Sequence, residues 1–183
     1  MSSLAQLRDQ PFELLQEIER RSRLAAMGQS ASGAVQSEWV GVGFRIGGHL
    51  FVTERQDVRE VLLMPEVTRV PGAKAWLRGL ANVRGQLLPI IDLSGFLGGT
   101  PTSQSRSIRV VSVNHGDIPA GLLVDEVRGF RRFTTDERSQ EDPELAPGYT
   151  PFLDGSFQRG EEVWGILNLK ELVESPPFLQ AAN

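Results

Sequence analysis

Residues 79–93 read GLANVRGQLLPIIDL and have a counterpart in residues 155–169, which read GSFQRGEEVWGILNL. Each stretch contains an Arg-Gly pair, Arg84-Gly85 in the first and Arg159-Gly160 in the second, followed by an apolar run. Such a pair between two strand-like runs is typical of a tight turn, because glycine adopts backbone conformations that other residues avoid. Each apolar run then ends in an acid or an amide followed by leucine. The repeat predicts an internal duplication built on one strand–turn–strand unit.

A further hairpin precedes each copy of this unit. Apolar side chains alternate along residues 40–46, Gly47-Gly48 predicts a two-residue turn, and residues 49–52 return as a second strand. Residues 109–113 and 119–124 repeat this plan in the second half. Two sets of about five short strands predict an all-β fold of two small barrels, since a closed sheet has no exposed edges. The first barrel is expected at about 39–93 and the second at about 107–173.

The flanking segments complete the predicted organisation. Residues 12–27 show a helical apolar stripe and residues 29–37 are rich in Ser, Ala and Gly, so 1–38 is interpreted as an N-terminal helix and linker before a domain at 39–175. The acidic, proline-rich residues 134–151 predict a long loop. Residues 170–174 predict one helical turn that Pro176-Pro177 ends.

Composition excludes several classes of protein. The chain of 183 residues has no cysteine, so neither a disulfide framework nor a thiolate metal site is possible. Its formal net charge of −4 disfavours nucleic acid or an anionic membrane as the main partner. No stretch approaches the roughly 20 apolar residues of a membrane span, and the polar first residues lack the apolar core of a signal peptide. The sequence therefore predicts a cytoplasmic protein without membrane insertion.

Residues capable of catalysis are few. The two histidines, His49 and His115, fall at predicted hairpin tips, where a solvent-exposed ring is the ordinary interpretation. Asp92 and Asp125 each end an apolar strand; we expect them to accept hydrogen bonds from backbone amides of the turns that follow. A hydrolase using these two acids remains an alternative. The sequence predicts no catalytic residue, no metal site and no cofactor, and hence a protein that is not an enzyme.

A single-stranded nucleic-acid binder is a further alternative, because small barrels often take that role. Such a site needs a basic groove with aromatic platforms for the bases. The aromatic residues here fall mostly at alternating, core-facing positions, and the positive charges do not gather on one strand. We therefore expect no nucleic-acid partner.

Over residues 39–173 the chain resembles the CheW family of chemotaxis coupling proteins. The resemblance rests on ordered motifs in the first half and one in the second: FRIGG at 44–48, VREV at 58–61, VTRV at 67–70, GLANVRG at 79–85, LPIIDL at 88–93 and GLLVDEV at 121–127. The G-x-x-N-x-R-G motif followed by P-x-x-D-L is the specific part of this match. It implies two five-stranded, SH3-like barrels packed side by side and no catalytic activity.

The resemblance also implies partners and binding residues. Members of the family link the cytoplasmic tip of a methyl-accepting chemoreceptor to the regulatory domain of a CheA-like histidine kinase, within membrane-associated receptor arrays. The positions that match the family's partner-binding residues are Val58, Glu60, Gly79, Arg84 and Phe130. Three of these also have a structural interpretation: a core valine at Val58, a backbone requirement at Gly79 and a solvated arginine at Arg84.

Three departures separate this chain from a minimal family member. Lys74 stands where the family often has proline, so the loop before Gly79 is expected to be less rigid. Phe130 replaces a smaller aliphatic residue. The predicted helix at 12–27 is longer than a minimal coupling protein requires. The extended helix, with the divergent loops, resembles the pilus-associated, PilI-type branch that serves twitching motility; a flagellar chemotaxis coupling protein is the alternative.

Overall fold

The computed structural model describes residues 38–116, 118–139, 143 and 145–181. The helix predicted at 12–27 and its linker lie outside the described residues. The strands are β1 Trp39–Ile46, β2 His49–Glu54, β3 Val58–Leu63, β4 Leu77–Val83, β5 Gln86–Asp92, β6 Arg109–Val113, β7 Gly121–Val124, β8 Glu126–Phe133, β9 Arg138–Ser139, β10 Leu153–Arg159 and β11 Glu162–Leu167. The short helices are α1 Leu93–Phe96, α2 Leu169–Glu174 and α3 Pro176–Leu179.

These strands form two sheets, which confirms the all-β prediction. One sheet has six strands in the order β8-β1-β2-β11-β10-β9, and the other has five in the order β3-β6-β7-β5-β4. Pairing is antiparallel except where β11 meets β2 and where β5 meets β7. Among the described residues, neither sheet closes into a ring of paired strands, so the SH3-like barrels are open.

The duplication is visible in the topology, with an exchange between the halves. The hairpin β1-β2 of the first half pairs with β8 and β11 of the second half, and β10 adds to β11. In the other sheet the hairpin β6-β7 pairs with β3 and β5 of the first half, and β4 adds to β5. Replacing each strand by its counterpart in the other half converts β8-β1-β2-β11-β10 into β3-β6-β7-β5-β4. Each half therefore supplies strands to both sheets, and neither half builds a sheet alone.

This exchange corrects the expected barrel boundaries. Residues 39–93 and 107–173 do not each form one barrel, because the chain leaves the first sheet after β2 and leaves the second sheet after β7. The apolar alternation that predicted the strands carries no information about which distant strand pairs with which. The segment 134–151 also differs from the predicted loop: it contains β9, which pairs with β10 through Ser139↔Ser156 and Arg138↔Phe157. That short strand is the sixth of its sheet.

The main core joins the two sheets. Phe44 and Phe51 of the six-stranded sheet and Ile91 and Leu122 of the five-stranded sheet belong to one buried cluster, each at most 2% exposed. The equivalent residues Asp92 and Asn168 cap the helices that follow β5 and β11: Asp92 Oδ1 accepts from Gly95 N, and Asn168 Oδ1 accepts from Glu171 N. Capped ends hold the apolar faces of α1 and α2 against this cluster.

The C-terminal region agrees in part with the prediction from the sequence. The helical turn predicted at 170–174 is present as α2, but Pro176 does not simply end it. Pro176 begins α3 instead, since proline suits the first turn of a helix, where its missing N–H costs no hydrogen bond. No helix within the described ranges is long and apolar enough to cross a membrane.

Candidate partner-binding groove between β3 and β8

A groove of about 360 Å³ lies between β3, the edge of the five-stranded sheet, and β8, the edge of the six-stranded sheet. Its walls come from both sheets and from the connection that precedes β3. The lining residues are Val42, Arg55, Gln56, Val58, Arg59, Glu60, Val61, Asn114, Val127, Gly129 and Phe130. The groove exists because β3 crosses from one sheet to the other directly after β2.

The position of β3 is fixed by a 3₁₀ turn at Arg55–Asp57. Asn114 holds this turn from the opposite hairpin: its Nδ2 donates to the carbonyl oxygen of Gln56, and its backbone N donates to that of Asp57. Burial and, to a smaller extent, Glu54 raise the pKa of the Asp57 carboxyl above its ordinary value. Val58 therefore enters β3 at a defined place, half-buried against the main core and at the groove wall.

Phe130 forms the other wall. The pairing of β1 with β8 shifts register between Gly43 and Phe44, where Gly129 has φ +74°. After this bulge Phe130 lies opposite Val42 and is 65% exposed. The Arg55 guanidinium lies 5.8 Å from the centre of the Phe130 ring, within reach of a cation–π interaction. A large, exposed aromatic ring in a half-apolar groove is suited to bind an apolar side chain of another protein.

Beside the groove, Glu60 forms an ion pair with Arg84. Arg84 Nη2 lies 2.8 Å from Glu60 Oε2, with the arginine side chain 78% exposed and the glutamate 23% exposed. Arg84 occupies the β4–β5 turn with φ +52°, a left-handed conformation that is unfavourable for arginine. Asn82 stabilises this turn, because its Oδ1 accepts from Gly85 N. Glu60 also borders a second hollow, of about 430 Å³, that Arg84 lines.

Gly79 does not line either hollow. It lies at a bulge of β4 with φ +145°, and a Cβ there would be 2.3 Å from the carbonyl oxygen of Thr68. Thr68 pairs with Leu80 at this point. The close approach of two backbones accounts for a glycine at this position without any partner.

The structure thus brings Val58, Glu60 and Phe130 into one groove, places Arg84 next to it, and leaves Gly79 apart. Arg55 also contributes, through its contact with Phe130. The sequence gives no signal for this contribution, because Arg55 lies in a polar turn and meets Phe130 only through the pairing of β1 with β8.

The alternative acidic pair has structural roles. Asp92 is 1% exposed and accepts from Thr102 N at 2.9 Å as well as from Gly95 N, and Arg78 Nη2 lies 2.9 Å from its Oδ2. Asp125 Oδ2 accepts from Gly47 N, in the hairpin β1-β2. The expectation of a bond to the turn that follows is therefore confirmed for Asp92 and corrected for Asp125, whose partner lies across the sheet.

The two histidines lie in different surroundings. His49 is exposed as predicted, but His115 is half-buried and its Nε2 lies 2.7 Å from Glu174 Oε1. Within the described part of the chain, no group of three or more His, Cys, Asp or Glu side chains could hold a metal ion. The groove and the ion pair can bind a partner; their residues show no arrangement of nucleophile and base.

Comparison with known proteins agrees with this arrangement. The CheW-like domain model matches residues 40–176. The chain is 43% identical to Protein PilI of Pseudomonas aeruginosa over 172 residues, which cover 94% of this chain and 96% of that protein. It is 27% identical to Chemotaxis protein CheW of Klebsiella aerogenes over 161 residues, which cover 87% and 95% of the two chains.

A solved structure shares the fold. The scaffolding protein TtCheW from Thermoanaerobacter tengcongensis superimposes with a TM-score of 0.66 at 25% sequence identity, over 76% of this chain and 94% of that one. The matched family model spans the residues that form both sheets and the groove between them. The chain belongs to the CheW-like domain family.

Proposed function

We propose that this protein is a non-catalytic coupling adaptor in chemosensory signalling. It links the cytoplasmic tip of a methyl-accepting chemoreceptor to the regulatory domain of a CheA-like histidine kinase, and it acts in the cytoplasm, where it is recruited to membrane-associated receptor arrays. In such an adaptor the coupling is a free energy between two binding sites. The observation that carries this proposal is the Glu60–Arg84 ion pair at the side of the groove, where an exposed arginine is held in an unfavourable backbone conformation.

Two adjoining surfaces support two partners. The groove of Val58 and Phe130 offers apolar surface of a size suited to a few side chains, and we assign it to the receptor tip. The Arg84 side chain is 78% exposed, so its planar guanidinium can also bind a carboxylate of a partner; we assign it to kinase coupling. Glu60 lies between the two surfaces and belongs to both.

The decisive experiment is binding of the full-length chain to the regulatory domain of a CheA-like kinase, measured by calorimetry. We expect Arg84→Ala to weaken binding about tenfold or more, about 1.4 kcal/mol, with little change in melting temperature. Arg132→Ala is the matched control, because Arg132 is a comparably exposed arginine on β8 whose only ion pair in the described chain is with Glu38. Absence of binding by the wild-type chain at micromolar concentrations contradicts the adaptor role. If Arg84→Ala lowers both the melting temperature and the affinity, the role of Arg84 is structural.

The receptor surface has its own test. Phe130→Ala should weaken binding of a receptor tip fragment while leaving kinase binding within twofold, since Arg84 and its turn are untouched. An equal loss of affinity for both partners contradicts the assignment of the receptor tip to the groove and of the kinase to Arg84.

We propose type IV pili as the output, because the chain matches PilI over nearly its full length. Deletion of the gene followed by twitching and swimming assays separates this from the flagellar alternative, which the similarity to CheW of Klebsiella aerogenes supports. Loss of twitching alone is expected; loss of swimming alone assigns the protein to flagellar chemotaxis.

A further inference from the structure

A separate hollow of about 820 Å³ lies on the five-stranded sheet, away from Arg84 and Phe130. It is bordered by residues 64–76, which connect β3 to β4, by Leu77 and Arg78 at the start of β4, and by residues 102–108, which lead into β6. None of the residues assigned to the adaptor role lines it. Its volume lies in the usual range for ligand and peptide sites.

The rim of this hollow is positively charged. Arg69, Lys74 and Arg106 are exposed on it, and none of the described residues that line it is an aspartate or a glutamate. Within the described residues, none of these three side chains forms an ion pair. Three uncompensated positive charges around one hollow stand out in a chain whose formal net charge is −4. An anionic group is the complement of this rim.

Arg78 adds a positioned guanidinium. Its Nη2 lies 2.9 Å from the buried Asp92 carboxylate and donates to the Thr102 carbonyl oxygen at 2.6 Å. Its Nε is buried without a hydrogen-bond partner among the described residues. These contacts fix the side chain, which remains 36% exposed, so little conformational entropy is lost when it binds a ligand.

The floor between the charges is apolar. Leu123 and Ile108 are buried and border the hollow, and Met64, Val67 and Leu77 are among its other apolar lining residues. The part of the chain that the structure describes brings no aromatic residue to this lining. That disfavours single-stranded nucleic acid, because bases bind by stacking on aromatic rings. A ligand that matches both parts carries carboxylates for the rim and an aliphatic side chain for the floor.

We propose that this hollow binds an acidic segment of a partner protein, with glutamate or aspartate side chains paired to Arg69, Lys74 and Arg106 and a leucine-like side chain on Leu123 and Ile108. The site is distinct from the surfaces assigned to kinase and receptor. It gives the adaptor a third point of attachment.

The test uses the full-length chain and a short fluorescein-labelled peptide of alternating glutamate and leucine, followed by fluorescence anisotropy. We expect saturable binding that the double variant Arg69→Glu/Arg106→Glu weakens at least tenfold. Both side chains are exposed without ion pairs in the described structure, so the variant should keep its melting temperature. Arg132→Glu on β8 makes the charge change of one of these two substitutions elsewhere on the protein and should leave the affinity within about twofold. Raised salt should weaken binding, because rim pairs are screened.

Two further probes separate the parts of the proposal. A peptide with glutamine in place of glutamate should lose binding to the rim, and one with serine in place of leucine should lose the contribution of the floor. Unchanged affinity in the double variant, or equal binding of the serine peptide, overturns the proposal.

Preferential binding of a labelled oligodeoxythymidine overturns the proposal in favour of nucleic acid. Displacement of the peptide by millimolar inorganic phosphate overturns it in favour of a small-anion site. Kinase binding by the double variant, measured in parallel, separates this result from the adaptor role.

Discussion

The two Arg-Gly hairpins look alike in sequence and differ in what the arginine does. In the β4–β5 hairpin Val83 pairs with Gln86, so that Arg84 and Gly85 form the turn itself. In the β10–β11 hairpin Arg159 pairs with Glu162, so that the arginine is the last residue of the strand and Gly160 begins the turn. This shift of one position follows from the shorter distance between the first glycine and the Arg-Gly pair in the second copy.

The two arginines therefore differ in how many contacts hold them within the protein and in how much of the side chain is exposed to a partner protein. Arg159 makes two contacts with Glu137, at 2.6 and 2.9 Å, donates to the carbonyl oxygen of Arg132 and lies 4.6 Å from the centre of the Phe133 ring. Among the described residues Arg84 has a single ion pair, with Glu60, and its side chain is far more exposed than that of Arg159. After duplication one copy can stabilise the fold while the other is free to change for recognition.

The largest effect is expected at Gly79, in strand β4 of the β4–β5 hairpin. Gly79→Ala should destabilise the protein by roughly 3 kcal/mol or more, because the new Cβ meets the Thr68 carbonyl oxygen and φ is +145°. Gly85→Ala is the control for backbone strain alone, since φ is +83° and a Cβ there meets no atom within 4 Å; it should cost about 1–2 kcal/mol. Urea unfolding measures both. Equal stability of Gly79→Ala and wild type, with loss of partner binding, assigns Gly79 to the site instead.

The two arginines themselves give the next largest effect. Arg159→Ala should lower the free energy of unfolding by roughly 1–2 kcal/mol, because Glu137 loses its partner and Phe133 loses packing. Arg84→Ala should change it by less than about 0.5 kcal/mol, as expected for an exposed ion pair. Thermal or urea unfolding of the two variants side by side is sufficient. A reversed order contradicts the division into a structural and a recognition arginine.

The sequence predicted the local features of this comparison well. The turns at Gly47-Gly48 and Arg84-Gly85 and the cap at Asp92 depend on residues close together in the chain, where backbone conformation and side-chain length decide the outcome. The motif positions Val58, Glu60 and Phe130 also fall together in one groove.

Long-range features could not be predicted in the same way. The exchange of hairpins between the sheets and the contact of Arg55 with Phe130 depend on pairing between distant strands. The strand β9 was missed because it has only two residues in an acidic, proline-rich segment. The rim of Arg69, Lys74 and Arg106 combines two connecting segments that lie more than thirty residues apart in the chain.

Low pH should weaken the contribution of the Glu137–Arg159 ion pair, at the β10–β11 hairpin, to the free energy of unfolding. Contacts with Arg159 and the backbone N–H of Thr134 lower the pKa of Glu137 from 4.5 to about 2. A carboxylate with a lowered pKa stabilises the folded state above its ordinary pKa, and this contribution is lost as pH falls from about 4.5 to about 2. Because the ion pair is partly exposed, solvent screening makes the gain smaller than the shift alone implies.

The variant Glu137→Gln isolates this contribution. Its stability deficit relative to wild type should be full at neutral pH and shrink as pH falls through this window, measured by urea unfolding at several pH values. Glu60→Gln is the matched variant, because Glu60 on β3 is the acidic partner of Arg84 in the β4–β5 turn. If the stability deficit of Glu137→Gln stays constant with pH, the charge of Glu137 is not its cause. The deficit then comes from the capping box with Thr134, where the glutamine amide can replace one acceptor.

The smallest expected change in stability provides the sharpest test of the comparison. Arg84→Asn should leave the free energy of unfolding within about 0.5 kcal/mol of wild type, because asparagine tolerates the left-handed conformation that Arg84 adopts at φ +52°. Urea unfolding checks this value, and the same sample is then titrated with the kinase regulatory domain. We expect intact stability and weakened binding, since the turn keeps its shape while the guanidinium is gone. Intact stability with intact binding means that the β4–β5 turn, like its counterpart in the second copy, serves only the fold, and that the difference between the two hairpins has no bearing on recognition.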